Sequence, residues 1–145
     1  MAPDLFDQLF WSKIETGTII RLRHEFGQEG QKFRPFLVIK QDEDRAMLLT
    51  CSMTSQTSKL YGAEGVYILK GDENELLSEE TAIRGDNLIE MTKSDLRRKG
   101  DLLKIGGKIE AKVLVEILKS LEASPKVTRG HKKKVVQPLL LKFRL

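Results

Sequence analysis

The sequence predicts a single α+β domain, a small barrel-like β-sheet with a closing C-terminal helix, for three reasons. First, 145 residues of ordinary composition, 40% hydrophobic and 32% charged, are enough to build one hydrophobic core. Second, short β-branched and apolar segments recur between polar loops that contain glycine, a pattern typical of strands. Third, one long segment near the end of the chain has apolar residues at helical spacing.

A short helix is predicted before the first strand. Leu5, Phe6, Leu9 and Phe10 recur at helical spacing, so residues 1–14 are expected to form a short amphipathic helix that packs on the body. The glycine and β-branched residues that follow mark the start of the sheet.

Strands and turns alternate through the middle of the chain. Strands are predicted at residues 18–23, 35–40, 46–52 and 65–69, within 81–90, and at 102–105. Pro35 fits the start of its strand, because proline is tolerated at a strand's first position. The polar stretches 26–33 and 53–64 are predicted to be loops, which often carry binding residues.

The end of the chain divides into a helix and a basic tail. Apolar residues from Ile109 to Leu121 predict a helix over residues 108–122. The predicted domain therefore covers residues 1–123, and residues 124–145 form the tail. Within the tail, 126–134 are expected to be disordered, whereas 135–141 are apolar enough to add to a sheet edge.

The net positive charge of the chain comes from this tail. The formal net charge is +4, but no acidic residue follows Glu122. Without the seven basic residues beyond it, 25 − 7 = 18 basic residues face 21 acidic ones, so the body carries about −3. These seven residues are Lys126, Arg129, Lys132, Lys133, Lys134, Lys142 and Arg144. Any nucleic-acid site in the body must therefore be a local concentration of cations.

The sequence indicates a cytoplasmic protein. The longest apolar runs, at 36–39 and 47–49, are far too short to span a membrane, and no secretory signal is visible. A lone cysteine, Cys51, forms no internal disulfide, which fits a reducing compartment. Because Cys51 lies in an apolar strand, we expect a buried structural thiol.

Three short segments carry the chemistry. The first contains Glu29 and Arg34, the second Thr54 and Ser55, and the third is Arg84-Gly85-Asp86. Each places a charged or hydroxyl side chain where an apolar strand begins or ends. Arginine forks and hydroxyls bind phosphodiester oxygens, and carboxylates accept protons, so this set favours RNA cleavage without a metal or other cofactor.

In order and spacing, these segments resemble the MazF/PemK family of toxin–antitoxin endoribonucleases, including the Kid-like group. The match begins loosely at Gly17, continues without a gap from Gly27 to Pro35, and includes Thr54-Ser55 and Arg84-Gly85-Asp86. It covers about residues 15–122. The resemblance implies a homodimeric SH3-like barrel that cuts single-stranded RNA, leaving 2′,3′-cyclic phosphate and 5′-hydroxyl ends. It also implies a cognate antitoxin protein as partner.

Ten residues are predicted to act in the site, most of them from the matched segments. Arg97 comes instead from a cationic cluster with Lys93, Arg98 and Lys99, which could line an RNA groove or be a solvated helical turn. The predicted catalytic set is Glu29, Arg34, Thr54, Arg84 and Asp86, and the predicted RNA-binding set is Gln28, Lys32, Ser55, Gln56 and Arg97. The chain departs from the family at Gln28, where some members have a histidine proposed to transfer protons. Without it the general acid is unassigned, and either Glu29 or Asp86 is the base. His24 is a further candidate for proton transfer, or a structural side chain.

Each of these residues also has a plain structural interpretation. Arg34 and Glu29 could be solvated, Thr54 could cap a turn, and Arg84 with Asp86 could form a surface ion pair. One alternative function is a non-catalytic barrel of the same fold that binds RNA or a protein, like the CcdB-type inhibitors. Another is an SH3-like adaptor, which would need an aromatic groove that a chain with 6% aromatic residues can scarcely supply.

Overall fold

The computed structural model describes residues 5–23, 33–70, 80–99 and 103–143. A six-stranded antiparallel sheet in the order β4-β5-β3-β2-β1-β6 forms its centre. The strands are β1 (Thr18–Arg23), β2 (Phe33–Asp42), β3 (Met47–Thr54), β4 (Val66–Leu69), β5 (Thr81–Thr92) and β6 (Leu103–Lys108). Strands occur at every predicted position, with ends that differ by up to three residues.

Helices flank the sheet. They are α1 (Leu5–Leu9) with a 3₁₀ turn (Trp11–Lys13), α2 (Lys93–Lys99), α3 (Ala111–Ala123), α4 (Arg129–His131), a π-helical turn (Lys132–Val136) and α5 (Gln137–Phe143). The last three segments follow one another directly, and we refer to residues 129–143 as the C-terminal helix. Among the described parts of the chain, no helix is long and apolar enough to cross a membrane.

Two corrections to the sequence-based fold concern the sheet and the tail. Over the described residues the edge strands β4 and β6 do not pair with each other, so the sheet is open and the expected barrel closure is absent. The expected disorder at 126–134 is also wrong, because most of this stretch belongs to the C-terminal helix. Its apolar residues, including Val136, pack against α3 rather than adding to a sheet edge.

The two faces of the sheet have separate cores. On the first, which we call the N-terminal face, Phe36 and Val38 pack against Phe6 and Trp11 of the N-terminal segment and Leu96 of α2. On the second, the C-terminal face, apolar residues of the strands pack against α3 and the C-terminal helix. Successive residues of a strand point to opposite faces, so a buried strand supplies both cores.

α3 packs closely against the sheet at Gly85. A Cβ atom there would overlap the side chain of Leu121 and would lie 2.5 Å from the carbonyl oxygen of Gly65. Only glycine therefore allows the end of α3 to lie against β5 at this point. Gly65 itself has a φ of +79°, which favours glycine again.

Cys51 is fully buried in the C-terminal core, which confirms the prediction of a structural thiol. Burial, with a smaller contribution from the charge of Asp86, raises the pKa of the Cys51 thiol to about 12. A thiol with such a pKa is almost entirely protonated near neutral pH and is a poor nucleophile.

We expect Gly85→Ala to lower the free energy of unfolding by about 1–3 kcal/mol, because the new methyl group overpacks the contact with α3. Gly130→Ala is the matched control, since a Cβ there meets only the Thr128 hydroxyl at 3.9 Å. Because Gly130 lies in a helix, Gly130→Ala should leave the free energy of unfolding unchanged or raise it by up to about 1 kcal/mol. Urea unfolding measures both, and equal stabilities would contradict the close approach.

We expect Cys51 to resist alkylation in the native protein and to react fully after unfolding in urea, because the buried thiol stays protonated. Mass spectrometry after timed exposure to iodoacetamide measures the labelled fraction. Rapid and complete labelling without denaturant would show that Cys51 is accessible.

Candidate functional site

Arg84 lies in a row of side chains that crosses four strands. It is directly opposite Ser52 on β3 and Val66 on β4, and Ser52 is opposite Phe36 on β2. Directly opposite residues point to the same face of a sheet. Because Phe36 belongs to the N-terminal face, Arg84 and Ser52 lie on that face as well.

Arg84 and Asp86 form a bidentate ion pair. The guanidinium donates from Nε to Asp86 Oδ1 at 3.2 Å and from Nη2 to Oδ2 at 2.9 Å. The two side chains are 39% and 20% exposed, so the pair is only partly desolvated. The ion pair expected for residues two apart on one strand is therefore present.

This pairing shifts the pKa of both groups. The hydrogen bonds from Arg84, opposed by partial burial, lower the pKa of Asp86, and the carboxylate raises the pKa of Arg84 in return. A carboxylate with a lowered pKa is a weaker base. The electrostatics thus suit Asp86 to holding the guanidinium more than to accepting a proton.

Asp86 lies in a bulge of β5. Cys51 is opposite Leu88 whereas Ser52 is opposite Arg84, so residues 85–87 of β5 have no counterpart on β3. Bulges redirect side chains and are common beside functional sites. Here the bulge contains Gly85, whose missing side chain admits α3 on one side.

The predicted hydroxyl pair lies at the end of β3. Thr54 is half-buried and accepts a hydrogen bond from the backbone N–H of Gln56 at 3.2 Å, so it does cap a turn. Ser55 and Gln56 are exposed just beyond it. Thr54 is opposite Ala82, which precedes Arg84 by two residues on β5. Thr54 and Arg84 are therefore diagonal neighbours on the same face.

Arg34 reaches the same end of the sheet from β2. Its backbone is opposite Leu22 of β1, and its side chain is exposed. Two residues further along β2, Phe36 is opposite Ser52, so continuing this register places Arg34 opposite Thr54. The structure therefore brings four predicted residues to one end of the N-terminal face: Arg34, Thr54, Arg84 and Asp86.

Arg97 is the predicted residue that lies elsewhere. It belongs to α2, which follows the far end of β5, roughly 20–25 Å along the strand from Arg84. There Arg97 lies 3.8 Å from Asp7 and over the ring of Phe6. It contacts the N-terminal segment, away from the other predicted residues, and its contact with RNA stays a prediction.

Four predicted residues cannot be placed. Gln28, Glu29 and Lys32 of the first loop, and the alternative proton-transfer residue His24, lie outside the described residues.

Sequence reasoning missed a polar cluster beside the site. Glu80, just before β5, accepts hydrogen bonds from Thr57 at 2.7 Å and from the hydroxyl of Tyr61. Both bonds lower the pKa of Glu80, and the carboxylate raises the pKa of Tyr61. Tyr61 is 56% exposed, so its ring presents a flat apolar surface near Thr54. No local motif signals this cluster, because Thr57 and Tyr61 lie in the loop between β3 and β4 whereas Glu80 lies some twenty residues later, just before β5.

Ser52 was also missed, although strand alternation from Thr54 would have found it. Together the residues at this end of the face offer a guanidinium fork, hydroxyl groups and a ring surface, which suit a phosphate, a ribose and a base. Over the described parts of the chain, no group of three or more His, Cys, Asp or Glu residues could hold a metal ion.

Comparison with known proteins yields a likeness of fold. No protein-family model matches the sequence, and no curated protein does. Among solved structures, a chain from the crystal structure of the MazE–MazF complex of Deinococcus radiodurans is similar, with a TM-score of 0.53 and 19% identity. The match covers 76% of this chain and 93% of that one. The fold is therefore MazF-like, and about a quarter of this chain lies outside the match.

We expect Arg84→Met to raise the pKa of Asp86 toward its usual value, because the variant removes both hydrogen bonds to the carboxylate. The ion pair stabilises the fold above the pKa that Asp86 has in the unfolded chain. That contribution is lost as the pH falls through the lower pKa of the folded state. The variant should therefore lose less stability than the native protein on acidification.

Carboxyl-carbon NMR titration measures the Asp86 pKa, and urea unfolding at several pH values measures the stability. The matched control is Arg98→Met, which removes the partner of Asp95 at the other end of the sheet. An Asp86 pKa that is the same in native protein and Arg84→Met would contradict the assigned cause.

Proposed function

We propose that this protein is the toxin of a toxin–antitoxin pair and a metal-independent endoribonuclease that cuts single-stranded RNA. One observation carries the proposal. The residues that resemble the family's motifs, Arg34, Thr54 and the Arg84–Asp86 pair, meet at one end of one face of a MazF-like sheet. Residues twenty or more positions apart in sequence thus supply one surface.

In the proposed reaction the 2′-hydroxyl oxygen attacks phosphorus, the bond to the 5′-oxygen breaks, and a 2′,3′-cyclic phosphate and a 5′-hydroxyl result. One proton leaves the 2′-hydroxyl and one reaches the departing oxygen. Negative charge accumulates on the phosphoryl oxygens between these steps. Arg84 and Arg34 stabilise that charge, because preorganised cations act most strongly where charge develops.

Asp86 serves as a positioning residue in this scheme. Its carboxylate holds Nε and Nη2 of Arg84, which fixes the plane of the guanidinium and leaves its other N–H groups for phosphate. Thr54 and Ser55 donate hydrogen bonds to a non-bridging oxygen or to ribose. Glu29 is then the general base, and such assistance is typically worth about 10²–10⁴-fold.

The remaining features of the proposal follow from the same likeness. The protein would act in the cytoplasm as a homodimer, and a cognate antitoxin would cover the RNA-binding face. Gln28, Lys32, Ser55 and Gln56 would contact RNA outside the reacting phosphate.

A non-catalytic protein of the same fold is the alternative, and one observation favours it. The Arg84 guanidinium is already bound by Asp86, and the Thr54 hydroxyl already accepts a hydrogen bond within a turn. Both side chains therefore have structural partners. A CcdB-like inhibitor of another protein would retain such contacts without cutting RNA.

We expect the purified protein to cut a long, structurally varied RNA in excess EDTA and to leave 5′-hydroxyl ends. Arg84→Ala and Arg34→Ala should each lower the cleavage rate by at least about 10²-fold, since each removes a cation from the phosphorane. Arg98→Ala is the control, because it disrupts an exposed Arg–Asp pair at the far end of the sheet. End mapping by primer extension measures the cuts.

Cleavage that persists in Arg84→Ala would place the chemistry elsewhere. An absence of cuts from folded protein freed of any bound antitoxin would favour the non-catalytic alternative.

A further inference from the structure

The C-terminal helix presents its cations to solvent. Its apolar side is buried against α3 through Val136, Leu139 and Leu140. Its basic residues lie mostly on the outside, where Lys133 and Lys134 are exposed. With the segment that leads into the helix, they form what we call the basic surface: Lys126, Arg129, Lys132, Lys133 and Lys134.

The cations of the basic surface follow one another in a stretch of sequence without acidic residues. Over the described parts of the chain, no carboxylate forms an ion pair with any of them. Arg129 and Lys133 are four residues apart on the helix, a spacing at which like charges destabilise it. Five mutually repelling cations over nine residues indicate a surface that is completed by an external anion.

The basic surface begins near Asp86, on the side of the sheet opposite to the face that carries Arg84 and Ser52. Ser124 lies against Gly65, and Gly65 in turn contacts the backbone of Asp86. Lys126 acts electrostatically on Asp86 from this position. Further along, His131 Nε2 lies 3.7 Å from Glu90 Oε1. Residues 124–131 therefore follow β5 from Asp86 toward its far end.

The body of the protein does not attract RNA by charge alone. Residues 1–123 carry about −3, whereas the remainder carries +7. Nonspecific affinity for nucleic acid arises from cations that displace counterions at phosphates. In this chain the segment from residue 124 onward has a net excess of such cations, and residues 1–123 taken together do not.

We propose that the basic surface binds the phosphate backbone of single-stranded RNA, without reading its sequence, and so holds the strand beyond the phosphate that the candidate site receives. The inference rests on the proposed function only for the choice of single-stranded RNA as the ligand.

The chemistry of the surface favours RNA over an acidic protein. Protein interfaces depend on apolar anchors, and here the apolar side of the helix is already buried. Leu141 is the large exposed apolar residue of the helix, and it lies well beyond the basic surface. Phosphates require only cations at a suitable spacing.

The test measures binding of a uridine oligonucleotide in which every 2′-hydroxyl is methylated. This probe cannot be cut, so the result is independent of cleavage. Fluorescence anisotropy gives Kd over a range of KCl concentrations for the full chain, for Lys132→Gln/Lys133→Gln/Lys134→Gln, and for a matched control. The control, Lys104→Gln/Lys112→Gln/Lys119→Gln, removes the same charge from exposed positions outside the basic surface.

The first triple variant should lower the slope of log Kd against log salt by about 2, because each lost phosphate contact releases about 0.7 fewer counterions. Its Kd at low salt should rise at least tenfold above that of the control. The single variant Lys133→Gln, expected to lower the slope by about 0.7, provides the same test if the triple variant is unstable.

Equal slopes and affinities for the two triple variants would overturn the inference. So would a variant that keeps its affinity for the oligonucleotide but loses affinity for polyglutamate, because the surface would then serve an acidic protein. If the slopes differ as expected and no RNA is cut in the separate cleavage assay, the binding surface stands and the proposed enzyme function fails.

Discussion

The contact between α3 and the bulge of β5 at Gly85 is the constraint on which the rest of the structure depends. Because Gly85 has no side chain, Leu121 can occupy the space beside the strand. The same bulge lets Arg84 and Asp86 form their bidentate pair next to the glycine. Leu121 lies in the last turn of α3, which ends just before Ser124 and Pro125, where the basic segment starts. One small residue thus links the core, the candidate site and the basic surface.

The sheet divides its tasks between its two faces. The C-terminal face is covered by α3 and the C-terminal helix, and it supplies the larger core. The N-terminal face is covered at one end by α1 and α2, where Arg97 contacts Phe6. The end of this face that carries Arg34, Thr54 and Arg84 retains exposed polar side chains. A face that is only partly covered can both stabilise the fold and present a binding surface.

Electrostatics assign different tasks to the charged groups. The pKa of Asp86 is lowered chiefly because its carboxylate accepts hydrogen bonds from Arg84, and the same bonds hold the guanidinium in place. The basic surface supplies long-range attraction that the acidic body lacks. The paired Arg84 and the basic surface are therefore two separate sites of positive charge in this molecule.

Local pattern determined much of this structure. Alternation and helical spacing predicted the ends of all six strands and of α3 to within a few residues, and they predicted that Cys51 is buried. Both succeed because the period of the hydrophobic residues follows directly from which side of an element faces the core. The order of motifs gave the residues of the candidate site that the structure brings together. Tertiary contacts decided the remainder. Whether the sheet closes, where Arg97 lies, how the bulge holds Asp86, and whether the basic tail folds all depend on packing between segments distant in sequence, for which charge and periodicity carry no local signal.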